Sequence, residues 1–106
     1  MNLLAWLLFL AAAALEVGGD ATVRKGLRAS QVLFILLGCL MLGLYGLLVN
    51  TVRWDFSKLL GVYVAFFASV SVVTGRYVFH ESVPLSTWFG LGMIVAGGHI
   101  IQVGSK

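Results

Sequence analysis

The sequence predicts an all-α membrane protein: four transmembrane helices in a compact, dimeric bundle that forms a single domain over residues 1–106. Three observations carry this prediction. The chain is 60% hydrophobic and only 10% charged, whereas a soluble domain carries about 25% charged residues. So short a chain cannot hide that surplus in a core, so its apolar surface must meet lipid. Four apolar stretches, at 3–23, 32–49, 59–78 and 85–103, are separated by short polar loops. Each has the roughly 17 to 25 residues of a spanning helix.

The first stretch is rich in Leu and Ala, and no Lys or Arg precedes Arg24. It therefore lacks the basic n-region of a cleaved signal peptide, and it is expected to be a permanent span. The second, "VLFILLGCLMLGLYGLLV", carries no charge. Its Cys39 is the single cysteine of the chain, which excludes a disulfide framework and a cysteine-based metal site. The third stretch has Tyr63, Phe66 and Phe67 in its first half and Arg76 near its end. The fourth follows the only proline, Pro84, which suits the first turn of a helix. The loops "RKGLRASQ", "NTVRWDFSK" and "FHESVP" leave no room for a soluble domain and require consecutive helices to be antiparallel neighbours. Trp6, Trp54 and Trp88 fall near span ends or in loops, as interfacial anchors do.

The formal charge of +3 is too small and too scattered for nucleic-acid binding. Loops one and three share a side and hold Arg24, Lys25, Arg28 and Arg76, against Arg53, Lys58 and Lys106 on the other. The positive-inside bias is therefore weak. Two readings stay open: one orientation set by the first loop, or insertion both ways. Glycine is abundant, at 13 residues, and small residues let helix backbones approach closely in lipid. In the fourth span Gly90 and Gly97 either pack within one bundle or form a dimer face.

Glu16 and Asp20 stand four residues apart, on one face of the first span with Ala12, Ala13 and Gly19. An acid at the centre of a span costs roughly 2.5 to 3.5 kcal/mol on insertion scales and is tolerated facing a bundle interior or an aqueous cavity. Taking a carboxylate from water favours its neutral form, so such a group is suited to exchanging a proton for a cation. Glu16 is too deep to reach the headgroups. It is either this exchanging group or a protonated hydrogen-bonding tie between helices. Asp20 has an alternative in pairing with Arg24, one turn on. The aromatic faces of Tyr63 and Phe66 could attract a cation or simply pack. Ser69, Ser71 and Thr74 are expected to bond their own helix backbone, and His99 is expected near the interface. No nucleophile motif, His/Cys cluster or phosphate loop is present, so no enzymatic activity, metal or cofactor is expected.

At this point the chain resembles the small multidrug resistance proteins of the drug/metabolite transporter superfamily. Leu15-Glu16-Val17-Gly18-Gly19 matches that family's first-helix Ala-Glu-x-x-Gly pattern, with Arg24 in the basic position. Glu81, Pro84, Trp88, Gly90, Gly97 and Ile100 match the superfamily's closing pattern. "YGLLVNT" and "GVYVAFFASVSVV" look more like its YnfA-type small membrane proteins. There are departures too. Phe66 stands where efflux members have Trp, Ala68-Ser69-Val70-Ser71 replaces their third-helix Gly-x-Gly, and Asp20 adds a second acid.

The resemblance implies an antiparallel homodimer in the bacterial inner membrane, with two Glu16 side chains at a shared site that protons and small organic cations contest. Glu16, Asp20, Tyr63 and Phe66 are the expected binding residues. The expected partners are a second copy, membrane lipids, protons and the cation. The competing readings are a translocase or binding subunit for a lipid-linked substrate, and a non-transporting assembly partner.

Overall fold

The computed structural model describes residues 3–104. Within them run four helices, α1 (Leu3–Ala29), α2 (Val32–Val49), α3 (Phe56–Tyr77) and α4 (Leu85–Gly104), with no strand among the described residues. All four are long and apolar enough to cross a membrane. Lys106, which enters the loop-charge comparison, lies outside the described residues.

Four boundaries differ from the sequence expectation. α1 continues past Val23 to Ala29. Arg24, Lys25 and Arg28 end the hydrocarbon stretch, yet Arg and Lys are good helix formers, and Arg28 in the last turn suits the helix's negative end. At about 1.5 Å per residue the 27 residues of α1 span roughly 40 Å, more than the ~30 Å hydrocarbon slab. The basic last two turns thereby reach the headgroups. α3 starts at Phe56 rather than Leu59, because the Asp55 carbonyl already accepts the Leu59 N–H at 2.8 Å. It ends one residue earlier than expected, at Tyr77, while α4 ends one later, at Gly104.

The chain divides into two compact units, Asn2–Val52 and Arg53–Lys106. Each is a helical hairpin.

In the first hairpin, α1 and α2 meet along a glycine seam. A Cβ on Gly19 would lie 3.0 Å from the Gly38 carbonyl oxygen, and one on Gly38 would lie 2.7 Å from that of Gly19 and strike the Val23 side chain. Apolar burial is a weak drive between helices in lipid, so such close backbone packing is what holds the pair. Phe9, Ala12 and Ala13 of α1 and Val49 of α2 are buried. The opposite stripe of α2 is left exposed, with Leu33, Leu36, Leu40, Leu44 and Leu47 at helical spacing. The turn is tight. Ser30 adopts φ 54°, which lets the Gln31 N–H donate to the Gly26 carbonyl at 2.9 Å and satisfy an orphan acceptor of α1. The Lys25 ammonium lies 4.8 Å from the centroid of the Phe34 ring across this turn.

In the second hairpin, α3 and α4 approach where Gly98 faces Ala65, with 3.0 Å from its would-be Cβ to the Ala65 Cβ. Gly61 is covered by the Ile101 side chain. Leu59, Val62, Tyr63 and Gly75 of α3 are buried. In the first turn of α3 the Lys58 ammonium sits 4.2 Å from the ring centroid of Trp54, which precedes the helix, a pairing of basic and aromatic groups that suits a membrane interface.

Candidate functional site

Glu16 is the fourteenth of the 27 residues of α1, and it is half-buried. Roughly 20 Å of helix precedes it at about 1.5 Å per residue, so no headgroup lies within reach of its side chain. The local sequence explains its setting. Gly18 and Gly19 follow it, and Gly19 is buried in the seam with α2. The helix face that carries Glu16 is thus drawn towards α2.

On α2 the polar group near this face is Tyr45. The charges of both Glu16 and Asp20 act on its phenol. Tyr45 is half-buried in a helix that is otherwise hydrocarbon and glycine apart from Cys39 and Met41. Sequence reading passed over it. The signal was present, since a tyrosine within an uncharged span puts a hydroxyl where lipid offers no partner.

Further along the seam, Thr22 donates its hydroxyl hydrogen to the Gly18 carbonyl at 2.7 Å, and the same oxygen lies 3.9 Å from the Met41 sulfur. The hydroxyl thereby satisfies itself within α1. Asp20, one turn beyond Glu16, is exposed. Among the described residues no ion pair joins it to Arg24. The pairing expected as its structural role is therefore not formed.

Tyr63 and Phe66 belong to the other hairpin. Tyr63 is 3% exposed, and its ring stacks on Phe67 with centroids 6.5 Å apart and planes at 29°. Phe66 is half-buried. Ser69 and Ser71 bond to the Ala65 and Phe67 carbonyls at 2.7 and 2.8 Å, the backbone satisfaction expected of them. Gly90 and Gly97 have open space where a Cβ would project.

The structure thus places Glu16 and Tyr45, both half-buried, along one hairpin beside the small-residue seam, with Asp20 exposed one turn on. The described residues hold no group of three or more His, Cys, Asp or Glu that could bind a metal.

The family described as "Uncharacterised BCR, YnfA/UPF0060 family" matches residues 2–106. The chain belongs to this family. The match extends over all four helices, and YnfA/UPF0060 membership agrees with the resemblance read from "YGLLVNT" and "GVYVAFFASVSVV". No curated protein and no solved structure matches the chain significantly. A YnfA/UPF0060 chain with four helices of spanning length and apolarity is an integral membrane protein.

Proposed function

We propose that this YnfA/UPF0060 protein is a proton-coupled antiporter of small organic cations, working as a homodimer in the bacterial inner membrane, with Glu16 as the exchanging group. One observation carries the reading. Glu16 stands well inside the span, half-buried, on the α1 face that leads into the seam with α2. Intramembrane carboxylates are costly, and they typically mark ion or proton pathways.

The mechanism follows from charge balance. An ionised Glu16 in a low-dielectric site needs a counter-charge, and either a proton or a cation supplies it. Binding one displaces the other, so the two gradients are coupled. Two copies of Glu16 near one dimer axis would strengthen the competition, because like charges at close range cannot both ionise without a cation. Tyr45 would orient the carboxylate through its hydroxyl. The dimer would use the open Gly90 and Gly97 face of α4, where a partner backbone can approach closely. The near balance of loop charges supports an antiparallel arrangement of the two copies.

The test is proton flux in proteoliposomes with a panel of small cations, comparing the wild type with Glu16→Gln. Cation-driven flux in the wild type that disappears in the variant supports antiport. Flux without any cation dependence, or none at all, would overturn it and favour a role in binding a lipid-linked substrate or in assembly.

A further inference from the structure

A second group of polar side chains lies far along the chain from Glu16, where α3 turns into α4. There an open depression with a volume of about 250 Å³ is lined by Ser71, Glu81, Ser82 and Thr87, with Val72 and Pro84 among its apolar walls. Every lining residue belongs to the α3–α4 hairpin.

The turn holds the Glu81 carboxylate in place. The last carbonyls of α3 are taken by the chain that follows. Thr74 accepts from Val78 at 2.8 Å and from Phe79 at 3.2 Å, and Gly75 accepts the Glu81 N–H at 2.9 Å. His80 adopts φ 55°, which swings the chain back over the helix end. Glu81 is thereby returned on top of Gly75. A Cβ on Gly75 would strike the Glu81 carboxylate oxygen and lie 3.4 Å from its Cδ. Absence of a side chain at Gly75 thus makes the seat that Glu81 occupies.

The electrostatics of this seat favour a cation. The C-terminus of α3 and the N-terminus of α4 meet here, and their partial charges of about −0.5 and +0.5 cancel to first order. The full charge of Glu81 remains. Among the described residues no ion pair neutralises it. The Arg76 guanidinium is placed over the Tyr77 ring, 5.4 Å from the centroid, and does not line the depression. Ser71 uses its hydroxyl hydrogen on the Phe67 carbonyl at 2.8 Å, so it presents lone pairs to a ligand. The Ser82 and Thr87 hydroxyls can also accept. One carboxylate with several acceptor oxygens matches the three donors of a primary ammonium group.

Size sets the class further. Sites for drug-sized molecules enclose about 300 to 1,000 Å³, so this depression suits a smaller cation, and its apolar walls suit a short alkyl tail. We propose that the α3–α4 turn is a binding site for small primary alkylammonium ions, held by the Glu81 carboxylate and the hydroxyls around it. The site goes beyond the antiporter reading and does not depend on it.

The test is amide NMR of the full chain in detergent micelles, following Glu81, Ser82 and Thr87 while ethylammonium is added, with ethanol as the uncharged comparator. The expected result is saturable shifts with ethylammonium and none with ethanol. Glu81→Gln, which keeps the backbone bond to Gly75, is expected to weaken binding at least about tenfold, the loss of roughly 1.4 kcal/mol. Glu16→Gln should leave these shifts in place, even where it abolishes transport. An identical ethanol response in the wild type would overturn the site without recourse to any variant. So would an unchanged titration in a folded Glu81→Gln, or loss of the shifts in Glu16→Gln. Saturable binding of bulky tetraphenylphosphonium at these amides would overturn the size assignment.

Discussion

Gly19 and Gly38 face each other backbone to backbone: each lacks the Cβ that would otherwise meet the other's carbonyl oxygen, at 3.0 Å from Gly19 and 2.7 Å from Gly38. A flexible side chain could move aside, but a helix carbonyl cannot without shifting the helix. This pair sets how near α2 comes to the face of α1 that carries Glu16. It therefore connects packing to the proposed chemistry.

Gly38→Val is accordingly expected to destabilise the first hairpin by at least the ~1–3 kcal/mol typical of overpacking. Gly43→Val, on the same helix but with nothing near its would-be Cβ, should be tolerated. Denaturation in mixed micelles checks the contrast. Equal stability for the two variants would show that the seam is not close-packed.

Glu16→Gln is expected to fold like the wild type, since it keeps shape and hydrogen-bonding capacity, and to lose proton-linked transport. Asp20→Asn should retain most of it, because Asp20 is exposed. Flux assays on both variants decide the assignment. A dead Asp20→Asn beside an active Glu16→Gln would exchange the two roles.

Tyr45→Phe removes one hydroxyl from the carboxylate face. A hydrogen bond is worth about 0.5–1.5 kcal/mol net, so the apparent cation affinity should fall by roughly two- to tenfold with the fold intact. An unchanged concentration dependence of flux would assign Tyr45 to packing alone.

Ser30 and His80 occupy left-handed backbone, at φ 54° and 55°. A residue with a Cβ is disfavoured there by about 1–2 kcal/mol. Ser30→Gly should relieve that strain, partly offset by the greater freedom of glycine in the unfolded chain, and raise stability by up to about 1 kcal/mol. Thermal melts in one detergent check it, and a lower melting temperature would mean that the serine side chain supports the turn.

Gly97→Leu should leave the α3–α4 hairpin undisturbed, because the position is open, and should weaken association in detergent. Cross-linking or light scattering reads the change. An undiminished dimer would exclude this face.

Much of this was legible in the residues themselves. Composition and the four apolar stretches fix four membrane helices, since a backbone in lipid must satisfy its own hydrogen bonds. α2 falls at Val32–Val49 as expected because its ends coincide with the ends of the hydrocarbon. α1 does not, because hydropathy stops at Arg24 while helix propensity continues to Ala29. Glu16 and Asp20 stood out together, as charge in a span needs a reason. Tertiary structure decided which glycines are close-packed: Gly19 and Gly38 are, while Gly43, Gly90 and Gly97 are not, although all look alike in sequence. It also decided that Tyr45 shares the electrostatic setting of Glu16 and that Glu81 rests on Gly75. Those pairings depend on the rotation of one helix against its neighbour and on the path of a turn. Both are set by the close contact of specific atoms, which periodicity along a single helix does not encode.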